Sequence, residues 1–203
     1  MVMAVISVDN RFNATEMNEL IARCQLGERQ AFDELITRYQ RYVFNLIYQH
    51  LGKDVDIEDI AQEIFIRVFR FIKKFRGEAS FESWVYKIVL NYCRSYARRR
   101  AVFNRLFFVQ VDRGDDERSV DIIDAQASPE SNPMQIIEHQ KIATDILREL
   151  RRLPEIYKDV LIMREVNELS YEEISEILGI SIGTVKSRIS RARSMIREKV
   201  NLQ

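Results

Sequence analysis

The residues best suited to bind another molecule lie near the end of the chain, where basic and small polar side chains alternate with apolar ones. Residues 181–199 contain six Lys and Arg residues and one acid, Glu198. Arg and Lys bind phosphates and read base edges, and Ser hydroxyls can hydrogen-bond to either. The side chains available for such contacts are Lys186, Ser187, Arg188, Ser190, Arg191 and Arg193.

Two short helices must position these side chains. Ser170 and Glu173 have the spacing of a capping box, which predicts that a helix begins there, and Gly179 predicts its end. Ser181 can cap a second helix. The expected inward positions of the pair are Ile174, Ile177, Leu178, Val185, Ile189 and Ile196. Two helices joined by a short Gly-containing turn, with the second one basic, predict a helix-turn-helix that enters the major groove of DNA.

A formal net charge of zero conceals a strong segregation of charge along the chain. Residues 54–63 hold five acids and no base, whereas residues 64–105 hold eleven bases and two acids. Residues 111–130 are again acidic, with seven acids and two arginines. Two basic segments separated by acidic ones favour a polyanion contacted at two places. Ordinary solvated helix faces are the alternative interpretation.

Cysteine and histidine usage argues against several classes of protein. Cys24 and Cys93 are far apart, and His50 and His139 are solitary, so neither a disulfide framework nor a zinc site is predicted. No nucleophile–base pair or Gly-rich phosphate loop is present. We therefore expect no catalytic activity, no metal, no cofactor and no small-molecule substrate. Without a signal peptide or a membrane-spanning segment in the sequence, a cytoplasmic location is expected.

The periodicity predicts an all-α fold of two small helical domains joined by a flexible linker. Residues 1–13 are expected to be disordered, and residues 14–100 to form the first domain. Residues 101–132 are expected to be an acidic flexible linker, and residues 133–203 to form the second domain. In the first domain we predict helices over residues 15–25, 28–51, 56–74 and 80–100, and in the second over residues 135–152 and 155–166. The third helix is predicted to turn Ile60, Ile64, Phe65, Val68, Phe69 and Ile72 inward, and Trp84 of the fourth is assigned to the core.

Motifs in both predicted domains resemble the extracytoplasmic-function group of bacterial RNA polymerase sigma factors. Residues 56–65 (DIEDIAQEIF) are similar to the group's acidic polymerase-docking helix, and residues 75–91 to its promoter-melting loop and helix. Residues 153–193, which end in GTVKSRISRAR, are similar to its upstream promoter-reading domain. The likeness extends from about Leu20 to Val200 and is greatest to the envelope-stress type, from which Ser190 departs because a bulky aromatic is usual there.

The resemblance implies roles for three sets of residues. The core-polymerase-binding set, expected to meet the coiled coil on the polymerase clamp, is Glu58, Asp59, Gln62 and Glu63. The set that binds and melts the minus-10 element is Lys73, Lys74, Arg76, Ser80, Phe81, Lys87, Asn91, Arg94 and Arg98. The set that reads the minus-35 element is Thr184, Lys186, Ser187, Arg188, Ser190, Arg191 and Arg193.

The function implied is that of an alternative sigma factor, with core RNA polymerase and promoter DNA as partners. The resemblance also implies stress-responsive control by an anti-sigma factor, often anchored in the membrane, and an acidic linker seated in the channel through which RNA leaves the polymerase. One rival is a stand-alone helix-turn-helix regulator, which would not need the acidic helix joined to a basic melting segment. The other is a helical adaptor with no role on DNA.

Overall fold

The computed structural model describes residues 14–106, residue 150 and residues 152–200 of the 203-residue chain. All regular elements in these ranges are helical, as the sequence predicts. The predicted disordered N-terminus, most of the predicted linker and nearly all of the predicted helix over residues 135–152 lie outside the described residues. The described helices fall into two compact units.

Four helices build the first unit: α1 (Ala14–Gln25), α2 (Arg29–Leu51), α3 (Ile57–Phe71) and α4 (Phe81–Leu106). A short 3-10 turn, Ile72–Lys74, follows α3. Local signals set most of the boundaries, because helix ends leave backbone groups that need partners. The Asp56 carboxylate accepts a hydrogen bond from the backbone N–H of Asp59 at 3.0 Å and so begins α3. Gly52 ends α2 at a φ of 78°, in the left-handed region.

The core of this unit forms around α2, which packs against α1, α3 and α4. Leu35, Tyr39, Val43, Leu46 and Ile47 of α2 are all buried, as their helical spacing predicts. Cys24 is also buried, and its burial raises the pKa of the thiol to about 11.

Two predictions about this unit are wrong in detail. Phe69 does not face inward: its side chain is 49% exposed, and its ring packs edge-on against Phe32 with 4.9 Å between ring centroids. At 100° per residue, Phe69 lies about 140° around the axis from buried Ile64. The last helix continues to Leu106 instead of ending at Arg100, since residues 101–106 contain no Gly or Pro to stop it.

The second unit consists of α5 (Glu155–Leu161), a π-helical turn (Ile162–Val166), α6 (Tyr171–Leu178) and α7 (Ile182–Val200). The carbonyl of Pro154 accepts the first hydrogen bonds of α5, from the N–H groups of Tyr157 and Lys158. The helix predicted over residues 155–166 therefore has the predicted extent, but its last five residues widen into a π turn. The core of the unit comprises Leu153, Val160, Leu161, Ile162, Met163, Ile174, Val185, Ile189 and Ala192.

Candidate nucleic-acid and docking interfaces

The turn between α6 and α7 is built by the capping groups that the sequence predicts. The Ser170 N–H donates to Glu173 Oε2 at 2.8 Å, and the Glu173 N–H donates to Ser170 Oγ at 3.1 Å. These reciprocal bonds form a complete capping box. Gly179 adopts a φ of 64°, and the hydroxyl of Ser181 accepts from the Thr184 N–H at 3.2 Å to begin α7. The structure thus contains the predicted pair of helices joined by a short turn.

Helix α7 divides into an inward and an outward face. Val185, Ile189 and Ala192 are buried, and Ile196 continues this stripe half-buried. Ser187, Ser190 and Arg191 are exposed, and the 100° step of the helix places them on the opposite side of the axis. The outward face therefore presents two hydroxyls and one guanidinium, which are groups that hydrogen-bond to base edges and phosphates.

The remaining side chains of the predicted minus-35 set lie along the flanks of α7. The Lys186 ammonium lies 5.6 Å from the centroid of the Tyr171 ring, which also has Arg164 over it at 4.9 Å. The hydroxyl of Thr184 is 2.9 Å from that of Ser181, within the cap. Arg188 is half-buried on the opposite flank. These three side chains, two cations and one hydroxyl, flank the outward face.

Arg193 has a protein partner of its own. Its Nε atom donates to Glu165 Oε1 at 3.1 Å, and its Nη2 atom donates to the same oxygen. Hydrogen bonding to Glu165 raises the pKa of Arg193. Both side chains are about half exposed, so the pair is a surface ion pair of small energetic value. The structure therefore separates Arg193 from Arg191, although the sequence places both in one basic run.

In the first unit, the predicted minus-10 residues of α4 share one face of the helix. Lys87, Asn91, Arg94 and Arg98 follow one another at steps of four, three and four residues, which keeps them within about 60° around the axis. Lys87, Asn91 and Arg98 are exposed, and Arg94 is half-buried. We call these four residues the α4 stripe. It offers three cations and an amide along one side of the helix.

The loop over residues 75–80 precedes α4 and carries the other predicted minus-10 residues. Arg76 is 83% exposed in its side chain, and Lys73, Lys74 and Ser80 are exposed as well. Gly77 has a φ of 72°, which turns the loop sharply. The hydroxyl of Ser80 accepts from the Ser83 N–H at 3.1 Å, so Ser80 caps α4.

Phe81 differs from its prediction as a DNA-contacting residue. It is 4% exposed, and its ring lies between those of Tyr39 (centroids 5.2 Å apart) and Phe75 (5.3 Å). Trp84, assigned to the core, is half-buried and adjoins both Phe75 and Phe81. The first residue of α4 points into the core, because it is one turn before buried Val85. Phe81 therefore supports the loop through the contact of its ring with that of Phe75.

The predicted polymerase-binding residues of α3 lie on two adjoining surfaces. Asp59 and Glu63 are exposed on one side of the helix. Glu58 and Gln62 line an open groove of about 540 Å³ between α2 and α3. The other groove residues are mainly apolar: Phe32, Ile36, Gln40, Phe44, Ala61, Phe65, Ile66 and Phe69. We call this the α2–α3 groove.

The groove residues are functional candidates that the sequence reasoning missed. Phe32 and Ile36 have the helical spacing of the buried α2 residues, and Phe69 was predicted to face inward from α3, but none of the three is buried. A signal was present, since α2 carries more apolar residues than one buried stripe needs. An apolar groove beside carboxylates is typical of a protein-binding surface.

Among the described residues, no cluster of three or more His, Cys, Asp or Glu side chains is arranged to hold a metal ion. None of the helices described above has both the length and the apolar character needed to cross a membrane.

Two segments match the sequence patterns of known families. Residues 35–102 match the family described as Sigma-70 region 2, and residues 143–196 match that described as Sigma-70, region 4. The first segment contains most of α2, all of α3, the loop over residues 75–80 and the α4 stripe. The second contains α5, α6 and most of α7.

Relatives with known names agree with these matches, and two solved structures share the fold. The chain is 38% identical to the ECF RNA polymerase sigma-E factor of Haemophilus influenzae, over 89% of this chain and 93% of that one. It is 34% identical to the Escherichia coli protein of the same name, over 89% and 92% of the two chains. The fold is similar to that of CnrH in complex with the cytosolic domain of CnrY (TM-score 0.60, 20% identity, 91% of this chain and 97% of that one). It is also similar to that of the sigma factor RpoE of Bartonella quintana in complex with the anti-sigma factor NepR (TM-score 0.60, 23% identity, 85% and 98%).

Proposed function

This chain belongs to the extracytoplasmic-function (ECF) RNA polymerase sigma factors, and on that premise we propose how its described surfaces direct transcription initiation. As a sigma factor it binds core RNA polymerase and gives it promoter specificity, while the polymerase carries out RNA synthesis. We propose that α7 reads the minus-35 element, that the loop over residues 75–80 and the α4 stripe open the minus-10 element, and that α3 docks on the polymerase.

The observation that carries the proposal is the outward face of α7. Ser187, Ser190 and Arg191 point away from the unit's core on a helix whose start is fixed by the Ser181 cap. In a helix-turn-helix, residues near the start of the second helix contact base edges in the major groove, and a bidentate Arg–guanine pair contributes about 1–3 kcal/mol of discrimination. We assign base reading to this face. Lys186 and Arg188, on the flanks, are assigned to phosphates.

Promoter opening is assigned to the first unit. Unstacking a base costs a few kcal/mol, which contacts to the extruded base must repay. Stacking on an aromatic side chain contributes roughly 1–3 kcal/mol per base. The loop combines exposed Arg76 and Ser80 with the ring of half-buried Trp84. The cations of the α4 stripe would hold the adjoining phosphates while the base is captured.

Docking is assigned to α3 and the α2–α3 groove. Asp59 and Glu63 provide exposed negative charge for a basic partner surface, and the groove provides apolar area beside it. Interfaces of this kind combine an apolar centre with a charged rim, the charge mainly serving specificity and association rate. The proposed partner is the coiled coil of the polymerase clamp.

We further propose that an anti-sigma factor controls this chain, as NepR binds RpoE of Bartonella quintana in the solved complex. The sigma-E naming of the curated relatives supports a role in stress response. Because its partner is core RNA polymerase, the proposal places the protein in the cytoplasm, where an anti-sigma factor could also hold it at the membrane. The protein itself is proposed to have no catalytic activity.

The decisive experiment is run-off transcription with purified core polymerase on genomic fragments. We expect discrete transcripts whose start sites share two conserved upstream elements, and none from core polymerase alone. A stand-alone helix-turn-helix regulator would instead bind promoter DNA without polymerase and would support no transcription in this assay. Co-purification with core polymerase separates the two functions independently of any promoter.

A further inference from the structure

The last residue of α1 holds the start of the loop over residues 75–80. The side-chain amide of Gln25 donates one hydrogen bond to the carbonyl oxygen of Ile72 at 3.1 Å and another to that of Phe75 at 2.9 Å. Gln25 is half-buried, and its two acceptors are 47 and 50 residues away along the chain. These are long-range contacts between α1 and the segment that connects α3 with α4.

The two acceptors lie at the end of a helix, where carbonyl groups lack partners. Ile72 begins the 3-10 turn after α3, and its oxygen already accepts from the Phe75 N–H at 3.0 Å. The backbone at Phe75 is extended (φ −69°, ψ 122°), so its carbonyl has left the helical pattern. Carbonyls at this position need donors from outside the helix. The Gln25 amide supplies one to each with a single NH₂ group.

The two hydrogen bonds from Gln25 to Ile72 and Phe75 form what we call the Gln25 anchor, and Phe75 connects it to the proposed promoter-melting surface. Its ring is 5.3 Å from that of Phe81 and 5.4 Å from that of Trp84, measured between centroids. Arg76 follows it directly, and the far end of the loop is fixed by the Ser80 cap. With both ends held, the geometry of the four intervening residues, 76–79, depends on the position of Phe75.

We propose that Gln25 is a positioning residue for base capture: by holding Phe75 it fixes the loop in the geometry that opens the promoter. This inference rests on the proposed function. Capture of an extruded base requires groups that are already in place, because ordering a loose loop consumes free energy at that moment. Gln25 itself does not contact DNA in this scheme and acts through the Phe75 backbone.

Trp84 provides a local readout that needs neither polymerase nor DNA. It is the only tryptophan of the chain, so the intrinsic fluorescence of the full-length protein reports on the Phe75 ring next to it. Gln25→Met keeps the length of the side chain but removes both donors. Gln25→Lys keeps donors, and Gln25→Glu directs a carboxylate at two carbonyl oxygens. Gln30→Met, at an exposed position of α2, is the matched control.

We expect acrylamide quenching of Trp84 to increase at least about twofold in Gln25→Met and further in Gln25→Glu, as ordering of the loop is lost. Gln25→Lys and Gln30→Met should stay close to wild type. Equal quenching in wild type, Gln25→Met and Gln25→Glu would overturn the proposal. An equal increase in Gln25→Lys would overturn it too, since packing of the amide and not its donation would then be responsible. Thermal unfolding of each variant identifies those that are folded at the assay temperature, and the readout is taken on these.

The functional consequence is measured on the reconstituted holoenzyme. The net free energy of two hydrogen bonds corresponds to about a tenfold change in rate. Holoenzyme that contains Gln25→Met should therefore open a duplex promoter about ten times more slowly than wild type. Its affinity for core polymerase should change less than twofold, because α3 is untouched. Wild-type opening by a variant with altered Trp84 quenching would refute the positioning role. Failure of wild type to open any promoter would instead refute the proposed function, and the quenching series would still test the anchor.

Discussion

Arg191 and Arg193 offer a test of base reading within a single helix. The two residues are separated by one alanine, so they lie about 200° apart around the axis of α7. Arg191 is exposed on the outward face, and among the described residues it has no ion-pair partner, whereas Arg193 is paired with Glu165. The two arginines are therefore expected to differ in kind when each is replaced by alanine.

The expected magnitudes follow from these positions. Arg191→Ala should weaken binding to the best minus-35 sequence by about 1–3 kcal/mol, with loss of discrimination at one or two base pairs. This corresponds to roughly 5- to 150-fold in affinity. Arg193→Ala removes a half-exposed ion pair, which costs about 0–1 kcal/mol of folding stability and leaves base discrimination intact. Glu165→Gln should release the guanidinium of Arg193. If this group then reaches a DNA phosphate, the slope of log affinity against log salt concentration should become steeper by about one unit.

The assay is competition binding of reconstituted holoenzyme to a set of promoters that differ at single minus-35 positions, repeated at several salt concentrations. Thermal unfolding of each variant separates loss of fold from loss of contact. A uniform loss across all promoters in Arg191→Ala would mark Arg191 as a phosphate contact. Equal loss of discrimination in Arg193→Ala would refute the assignment of base reading to the outward face.

Three further predictions concern other parts of the chain. The double variant Asp59→Lys, Glu63→Lys should bind core polymerase about tenfold or more weakly, while its folding stability changes by less than ~1 kcal/mol. Asp33→Lys on α2 is the control. Unchanged affinity in the double variant would contradict the docking assignment. Six acids of the predicted linker lie beyond the described residues: Asp112, Asp115, Asp116, Glu117, Asp121 and Asp124. Neutralising all six should lower the share of abortive transcripts, because RNA would displace a weakly seated linker more easily. A Cys93→Ala variant leaves Cys24 as the one thiol. Burial raises the pKa of Cys24 to about 11, so only ~0.1% of it is thiolate at pH 8, and its alkylation should accelerate when the protein unfolds. Equal alkylation rates in native and denatured protein would contradict this prediction.

Those parts of the fold that depend on neighbours in sequence could be predicted. Ser170 with Glu173, and Ser181, act within three residues of themselves and form the caps that their spacing indicates. Helical periodicity likewise identified most buried positions, because side chains three and four residues apart share a face. The all-helical fold follows from these local signals.

Contacts between distant residues could not be predicted in the same way. Arg193 meets Glu165 across 28 residues, and Gln25 meets Ile72 across 47. Nothing in the spacing of these residues distinguishes them from other polar residues on exposed faces. Phe69 was misplaced for a related reason: a helix with more apolar residues than its core needs can turn the surplus into a groove, and only the packing decides which side that is.

Because α4 is one uninterrupted helix, it fixes the distance between the loop over residues 75–80 and the α4 stripe. The 26-residue helix is about 39 Å long, and its start, just after the loop, lies on the same rigid rod as the stripe from Lys87 to Arg98. Those two residues are about 16.5 Å apart along the axis, which matches the rise of roughly five nucleotides of one DNA strand. An insertion of one residue in this helix would rotate the stripe by about 100° relative to the loop, whereas seven residues, close to two full turns, would nearly restore the phase. Under the proposed function, the distance between the opened bases and the phosphates bound by the α4 stripe is therefore set by helix geometry.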